Sequence, residues 1–397
     1  MRILLASLLI ITLMPAKSID RLIEESLKEH PSLQIIKHRL TAMDEEILKS
    51  RKWQNPDLSL SINDIQFSDL SNRSIEPMQY EAFNVAQKFP WFGKLDAREA
   101  VAQARKHVLL ESYDAAKVAL ALQIRTTAYT IKELESRIVI LKKYIQIEKQ
   151  NIQLYNDTIA TDSMSHADSV TAELSLSKIE VKLERYISIL RSQREKLAYL
   201  VQRKVGRIDD ALRIKRPPSL NRYLSRMENN PTYRVKASQD KVAAANKTLV
   251  DLDAMPDPYV KVGYFHRKEY EDYAGITVGF SAPLYGREEL NSEIARKERL
   301  ATRSALLDFR SQLESEIRAE YVKLKEAYRI YFIIKEKSLP QVNHMLELSA
   351  DAIQSGADLF TYTNILEQKL FLEEEQVSIA AEYLKSEAKL KALTGAL

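Results

Sequence analysis

Apolar residues follow two different periods along this chain, and each period occurs in both halves. Alternation of apolar and polar residues, the pattern of a strand with one apolar face, predicts four strands. They lie at about residues 57–68, 80–89, 258–265 and 273–282. Each pair of strands precedes a long stretch without Pro or Gly, from Lys94 to Thr158 and from Arg287 to Leu339. The pattern predicts two β-hairpins, each of which leads into a long helix.

The first long stretch has the spacing of a coiled coil. Its apolar residues recur at intervals of three, four and seven, which is a heptad seam. At 1.5 Å per residue, a helix from Leu95 to about Ile159 would be about 100 Å long. A return helix with the same spacing follows, to about Val205. The seam of the first helix consists of Leu120, Ile124, Ile131, Leu134, Ile138, Leu141, Ile145, Ile152 and Tyr155.

Two short motifs mark the places where a hairpin becomes a helix. Phe89-Pro90-Trp91-Phe92-Gly93-Lys94, the first switch, ends the first hairpin, and Pro283-Leu284-Tyr285-Gly286-Arg287, the second switch, ends the second. Pro31 also recurs as Pro231, 200 positions later. We interpret this recurrence as an internal duplication. The predicted divisions are a first repeat at 19–206, a linker at 207–220, a second repeat at 221–397, and helical turns, here called the tips, at about 158–166 and 354–358.

The first residues have the features of a secretory signal peptide. Arg2 precedes an almost wholly apolar stretch from Ile3 to Met14, and small residues lie near Ser18. We predict a leader at 1–18. A membrane anchor is the alternative, but the apolar stretch is shorter than the about twenty residues that a spanning helix needs.

Composition excludes several classes of function. The net charge of +4 is too small to indicate a nucleic-acid partner. The chain has 0 Cys, which excludes disulfides and thiolate metal sites. The 6 His form no close pair at helical spacing, and no nucleophile elbow or phosphate loop occurs. We therefore predict no catalytic residues, no cofactor and no bound metal, with a transported-metal site near His166 as the alternative.

Two environments fit the alternating strands. The sheet could cap a helical stalk in water, or its apolar face could contact lipid, and alternation alone does not separate these cases. Four strands cannot close a membrane barrel, which needs at least about eight, whereas three chains would supply twelve. In the membrane interpretation, the lipid-facing residues are Phe83, Val85, Ile276, Val278 and Phe280. The switches and their aromatic girdle comprise Pro90, Trp91, Phe92, Gly93, Pro283, Tyr285 and Gly286.

The duplication, the leader and the heptads together give the whole mature chain a resemblance to the TolC-like outer-membrane efflux proteins. The first switch is similar to that of the heavy-metal (CzcC/CusC-like) branch, which typically reads Phe-Pro-Trp-Pro-Gly-Lys. Asn229-Asn230-Pro231 and the ending from Leu390 to Gly395 are also similar to the family. The second switch is looser, and the first tip lacks the Gly usual there. The resemblance implies a mainly α fold with a small membrane β part, built as a tandem repeat of helix, hairpin, long helix and return helix.

The resemblance also implies a function and partners. It implies a homotrimer whose twelve-stranded β-barrel continues into a twelve-helix coiled-coil α-barrel. Such a trimer is a passive exit duct in the outer membrane of a Gram-negative bacterium, with a long periplasmic portion. A periplasmic adaptor (a membrane fusion protein) and an inner-membrane pump of the RND type would deliver small molecules or metal ions to it. The alternatives are an exit duct for type I protein secretion and a periplasmic coiled-coil adaptor or scaffold.

Acidic residues at the two tips are the candidate gate. In the family, hydrogen bonds and ion pairs of Asp, Tyr and Arg hold the closed tip. Three copies of a carboxylate around one axis would favour cations. The alternative is that Asp162 and Asp358 cap the return helices, because both lie where those helices are predicted to start. The candidate gate residues are Asp162, Asp168, Asp358 and Tyr362.

Overall fold

The structure of the protein is a computed structural model. The predicted leader up to residue 17, most of the first tip and all of the second tip lie outside the described residues. The ranges that the structure describes are 18–67, 69–159, 166–353 and 359–396.

The predicted order of elements, helix, hairpin, long helix and return helix in each half, is confirmed. No helix in the described part of the chain is both long and apolar enough to cross a membrane. In the first half the helices are α1 (Ile19–Glu29), α2 (Pro31–Ser50), α3 (Lys94–Ile159) and α4 (His166–Val201). In the second half they are α5 (Leu220–Leu224), α6 (Pro231–Asp253), α7 (Arg287–Ile333), α8 (Leu339–Ile353) and α9 (Leu359–Leu393).

A π-helical turn, Ile334–Ser338, joins α7 to α8. Its cause lies in the sequence, because Pro340 has no N–H and cannot donate to the carbonyl four residues earlier. A helix absorbs such a missing bond by widening locally. The helical path of the second repeat therefore continues through this turn as far as Ile353.

The four strands form one antiparallel sheet in the order β1-β2-β3-β4. The first strand is shorter than predicted and ends at Ile62, not near residue 68. Asp64 has φ +53°, a left-handed conformation that a strand cannot continue through. The guanidinium of Arg73 donates hydrogen bonds to the backbone carbonyls of Asn63 and Asp64 and holds the bend in place. The strands are β1 (Asp57–Ile62), β2 (Glu81–Lys88), β3 (Pro258–His266) and β4 (Tyr273–Phe280).

The chain folds as two compact units, and each predicted repeat contributes to both. The repeats are therefore units of sequence and not of packing. The helical unit comprises Met1–Gln34, Asp114–Pro231 and Ser311–Leu397. The sheet unit comprises Ile35–Tyr113 and Thr232–Arg310, and holds all four strands.

The heptad seam of α3 forms much of the core of the helical unit. Ile124 and Leu141 are 0% exposed, and every seam position from Leu120 to Ile145 is buried. Helices from both repeats pack on the seam, so the duplication builds a shared core. One buried cluster consists of Leu141, Tyr144 and Ile145 of α3, Ile179 of α4, and Leu366 and Leu370 of α9.

Candidate channel-forming sheet and switches

The sheet has one apolar face that crosses all four strands. Directly paired residues of neighbouring strands lie on the same face of a sheet. In this protein two rows of paired positions on one face are apolar across all four strands, whereas Glu81, Gln87 and His266 nearer the strand ends are polar. One such row consists of Leu58, Val85, Val262 and Ile276, and the next of Leu60, Phe83, Tyr264 and Ala274.

All five residues predicted to face lipid lie on this apolar face. Val278 pairs with Val260, and Phe280 pairs with Pro258, on the same side as the two rows above. The side chains of β4 are open to the surroundings, with exposed fractions of 74% for Ile276, 71% for Val278 and 63% for Phe280. So large an apolar surface is unfavourable in water. We therefore expect a non-aqueous medium or a partner to cover this face.

The opposite face is polar, with an aromatic group at one end. The rings of Phe265 and Tyr273 stack there, with centroids 4.6 Å apart and planes 3° apart. The Phe265 ring lies over two directly paired glycines, because a Cβ at Gly263 would come within 2.9 Å of this ring and one at Gly275 within 3.1 Å. We did not predict this stack from the sequence. The feature of the sequence that indicates it is the pair of glycines, which leaves room for the ring. The polar residues of this face include Ser59, Ser61, Asn84, Lys261 and Thr277.

Both switches turn at a glycine in the left-handed region. Gly93 has φ +83° and Gly286 has φ +69°. A residue with a Cβ adopts this conformation only at a cost, so glycine suits the point where an extended chain becomes a helix. At Gly93 the neighbouring atoms leave room for a Cβ, with Leu252 at 3.8 Å, so the requirement comes from the backbone.

The first switch is held by a buried lysine that the sequence analysis did not single out. Lys94 is 3% exposed. Its Nζ donates to an Oδ1 of Asp257 at 2.8 Å and to the carbonyl of Met255 at 2.7 Å, and it lies 3.8 Å from Asp253. The N–H of Trp91 donates to the same Asp257 oxygen at 2.8 Å. The end of the first hairpin is thereby tied to the start of the second.

These contacts fix the charge of Asp257. Burial by itself would raise the pKa of this carboxyl. The hydrogen bonds from Lys94 and from the Trp91 N–H, with the charges of Lys94 and Arg98, outweigh burial and hold the pKa below its ordinary value. Asp257 is therefore ionised at neutral pH, and the buried lysine has a permanent counter-charge.

The aromatic residues of the switches point into open surroundings. Phe92 is 87% exposed and Tyr285 is 95% exposed, while Trp91 is 38% exposed and packs edge-on against Phe92. Pro90 is half-buried and Pro283 is exposed. Exposed aromatic rings at the end of an apolar sheet face are what a membrane interface accommodates.

The structure describes only some of the candidate gate residues. Asp162 and Asp358 lie outside the described residues, and Asp168 is described only as part of α4. The helix α9 begins at Leu359, directly after Asp358, whereas α4 begins at His166, four positions after Asp162. Tyr362 is half-buried and packs against the buried cluster around Leu141. Burial raises the pKa of Tyr362, and the charge of Glu148 adds to this.

A buried carboxyl group lies beside that cluster, and sequence reasoning missed it. Glu148 is 1% exposed, and its Oε2 has no hydrogen-bond partner within the described part of the chain. Burial raises its pKa to about 7, a hydrogen bond with Asn151 opposes the rise, and Glu367 adds to it. The signal was present in the heptads, because Glu148 occupies the seam position between Ile145 and Ile152.

A second carboxyl group from α9 faces this region. Glu367 accepts a hydrogen bond from the Ser175 hydroxyl at 2.6 Å. Further along α9, Glu374 is 4% exposed and lies 2.5 Å from the Nζ of Lys182. Within the described ranges, no group of three or more His, Asp or Glu side chains is arranged to hold a metal ion. Glu148 is thus a buried carboxyl group of the core whose protonation changes near neutral pH.

A family comparison bears on the first half of the chain. Residues 22–200 match the model of the family described as outer membrane efflux protein. This match makes the first half of the chain similar to that family, over less than half of the 397 residues. No curated protein sequence matches the chain.

Solved structures extend the likeness to both halves. The outer membrane channel CmeC of Campylobacter jejuni superimposes with a TM-score of 0.78 at 13% identity, over 95% of this chain and 85% of that one. VceC, an outer membrane protein of Vibrio cholerae, gives 0.77 at 17% identity over 95% and 96% of the two chains. CusC, described as undergoing transmembrane channel formation, gives 0.75 at 12% identity over 97% and 94%.

The likeness to these solved structures shows that this chain has their fold. The second repeat shares that fold, although the family match ends at residue 200. Within this fold, the exposed apolar sheet face and the two switches are the candidate functional features.

Proposed function

We propose that the chain forms a passive exit channel in the outer membrane of a Gram-negative bacterium. The observation that carries this proposal is the apolar face, two rows of which cross β1 to β4 and which is exposed at Ile276, Val278 and Phe280. Strands that alternate apolar-out and polar-in form the wall of a membrane barrel around water. The polar face, with Ser59 and Thr277, would then line the interior.

Closing that wall takes more than one copy. Within the described chain, β1 and β4 are edge strands with one neighbour each. A membrane barrel has no open edges and needs at least about eight strands. Three copies supply twelve strands, and homo-oligomers with closed symmetry are common. The long helices α3, α4, α7 and α9, three times over, would form a twelve-helix periplasmic α-barrel.

Such a channel has no energy source of its own. We propose that a periplasmic adaptor and an inner-membrane pump of the RND type deliver its cargo. The likeness of the first switch to that of the heavy-metal branch favours metal ions over organic small molecules. The predicted leader at 1–18 would direct export, and the carboxylates at the tips, with Tyr362, would form the gate.

Reconstitution in a planar lipid bilayer tests channel formation. The purified full-length mature protein should insert and produce discrete, uniform conductance steps. The same preparation, heat-denatured in the same detergent, should produce none and serves as the control. A protein that remains soluble without detergent and produces no steps would instead be a periplasmic helical scaffold.

The cargo is tested in the source bacterium. Deletion of the gene should lower the tolerated concentration of heavy-metal salts, and the intact gene should restore it. Loss of tolerance to organic antibiotics alone would assign a drug-exporting partner. Loss of a secreted protein, with both tolerances unchanged, would assign the channel to type I secretion and contradict the proposed cargo.

A further inference from the structure

The predicted end of the leader lies directly before a residue that is buried in the helical unit. Ala16 and Ser18 are small residues at the third and first positions before a cut between Ser18 and Ile19, a spacing typical of leader cleavage sites. Ile19 is 2% exposed, and Leu22 and Ile23 of the same helix are also buried. The first turn of α1 would thus be both the beginning of the mature chain and part of its core.

A chain end in such a place needs a partner for its charge. Hydrolysis of the bond between Ser18 and Ile19 consumes one water and breaks the bond between carbon and nitrogen. Ser18 leaves with the leader as a carboxylate, and the nitrogen of Ile19 becomes an α-amine that is mostly protonated at neutral pH. A positive charge is unfavourable at the N-terminal end of a helix, and a charge removed from water is costly unless it is paired. We therefore looked for an anion beside this nitrogen.

Asp210, in the linker between the two repeats, is such an anion. Its Oδ2 accepts a hydrogen bond from the backbone nitrogen of Ile19 at 2.7 Å, across 191 positions of sequence. Asp210 is half-buried, and it has no ion-pair partner among the residues that the structure describes. A carboxylate thus contacts the very nitrogen on which the predicted cut would place a positive charge.

The linker is held in place by contacts that do not involve α1. Burial alternates along it, since Ile208 is 2% exposed, Asp209 is exposed and Asp210 is half-buried. The Nζ of Lys132 in α3 donates to the carbonyl of Ile208 at 3.2 Å. Further along the linker, a backbone carbonyl accepts a hydrogen bond from the hydroxyl of Tyr383 in α9. The helices α3 and α9 therefore hold the segment that presents Asp210.

An open cavity of about 760 Å³ lies beside Ile19 and Asp210, within the helical unit. Water in such a cavity can accept the hydrogen bonds of an ammonium that Asp210 does not accept. Two of the cations that line the cavity are bound to other carboxylates. Arg125 pairs with Asp20 at 2.5 Å, and Lys391 pairs with Glu387 at 3.1 Å. The remaining cations that line it are Arg222 and Arg226.

We propose that Asp210 is the binding site of the mature N-terminus, and that cleavage between Ser18 and Ile19 converts their neutral hydrogen bond into an ion pair. Before cleavage, the nitrogen of Ile19 is an amide with one N–H. Afterwards it is an ammonium with three, and charge-assisted hydrogen bonds are roughly twice as strong as neutral ones. The proposal rests on the leader, which is part of the proposed function, but not on channel formation.

The same cleavage removes the cap of α1. The Oγ of Ser18 accepts a hydrogen bond from the N–H of Arg21 at 3.4 Å, and the carbonyl of Ser18 accepts one from the N–H of Leu22 at 3.1 Å. Both acceptors leave with the leader. Asp210 remains, and its negative charge stabilises the N-terminal end of the helix. Processing thus exchanges a cap from the leader for one from the linker, and ties α1 to the segment that joins the two repeats.

The first measurement needs no variant. The mass of the intact protein, purified from cells that export it, should correspond to a chain that begins at Ile19. The rate at which an acylating reagent modifies the α-amine at neutral pH then reports whether that amine is paired. A synthetic peptide that begins with the same residues gives the rate of a free amine. The folded protein should react at least about tenfold more slowly than the peptide, a factor that corresponds to about 1.4 kcal/mol.

Three variants of the linker separate the ion pair from burial. Asp210→Asn removes the charge with little change of size, and should bring the acylation rate about tenfold closer to that of the peptide. Asp209→Asn is the matched control, because Asp209 is an exposed carboxyl group one position away, and should keep the slow rate. Asp210→Glu keeps the charge and should restore part of the protection.

Each other outcome overturns the proposed ion pair. A chain that keeps its leader, or that begins at another residue, would have no ammonium at Ile19. A rate in the unchanged protein equal to that of the peptide would show a free amine, and this result does not depend on whether Asp210→Asn folds. Equal rates in the Asp210→Asn and Asp209→Asn variants would show that burial alone protects the amine.

Bilayer conductance of the same preparation separates this proposal from the proposed function. Uniform conductance steps together with rapid acylation of the α-amine would contradict the ion pair and leave the channel in place. Slow acylation without conductance would support the ion pair and contradict the channel.

Discussion

The side-chain nitrogen of Lys94 lies 2.8 Å from a carboxylate oxygen of Asp257, although the two residues belong to different repeats. The lysine is almost fully buried, and the backbone N–H of Trp91 shares the same oxygen. One ion pair therefore fixes the point where the first hairpin becomes a helix and the point where the second hairpin begins. This contact adds to the backbone pairing of β2 with β3, which joins the two repeats in one sheet.

Replacement of the lysine should loosen that joint. Lys94→Met keeps the side-chain length but leaves Asp257 and the Met255 carbonyl without their donor. Removing one partner of a buried hydrogen bond costs about 1–3 kcal/mol. The free energy of unfolding, measured in urea with detergent present, should fall by about this amount. Lys106→Met is the control, because Lys106 and Asp44 form a partly exposed pair at 2.5 Å, worth about 0–1 kcal/mol. Equal losses in both variants would contradict a special role for Lys94.

Two neighbouring residues of β4 lie on opposite faces of the sheet, so their substitution tests each face separately. Val278→Arg places a charge on the apolar face, where lipid would surround it, at a cost of about 2–4 kcal/mol near the middle of the bilayer. The yield of assembled protein in the outer-membrane fraction should drop strongly. Thr277→Arg points to the polar face, and its yield should match that of the unchanged protein. Equal loss in both variants would mean that the strand does not contact lipid.

The buried Glu148 should make the stability of the helical unit depend on pH. Its pKa is raised from 4.5 to about 7, so between these values the folded state holds a proton that the unfolded state has released. Stability therefore falls as pH rises from about 4.5 to 7, by roughly 1–3 kcal/mol. Asn151 of α3 and Glu367 and Tyr362 of α9 are the polar groups that face it.

Substitution of this carboxyl group isolates its effect. Glu148→Gln removes the titration and should leave the unfolding free energy nearly level across that pH range. Glu173→Gln, at an exposed position of α4, should keep the full slope. An unchanged slope in the Glu148 variant would assign the pH dependence to other groups.

The candidate gate leads to a measurement on single channels. We expect Asp358→Ala combined with Tyr362→Phe to loosen the closed tip, raise single-channel conductance and make cells leakier to large antibiotics, with trimer yield unchanged. Exposed polar contacts stabilise by only about 0–1 kcal/mol each, but a trimer contains each contact three times. Because Tyr362 packs on the buried cluster, lower trimer stability with unaltered conductance would show that these residues only cap and pack their helices.

The parts of the fold that depend on local pattern could be predicted from the sequence. Gly93 and Gly286 mark both strand-to-helix turns because few other residues tolerate their backbone angles. The alternation around Ile276 identified the apolar face, and the heptads identified the seam. The end of β1 was missed because the guanidinium of Arg73, a contact from a neighbouring loop, stabilises the bend after Ile62.

Contacts between distant polar residues could not be predicted in the same way. Periodicity shows which face a residue occupies, but not that Lys94 meets Asp257, 163 positions later. Glu148 was missed for a different reason. It interrupts an apolar seam, and the effect of that interruption depends on which side chains of α4 and α9 pack against it.

The central claim, that the chain crosses the outer membrane as an oligomer, is tested most directly by membrane fractionation followed by SDS gels with and without heating. The mature protein should sediment with the outer membrane. Without heating it should run as a trimer, and after heating as a monomer. Recovery of the protein from the periplasm as a soluble monomer, without detergent, would contradict the account.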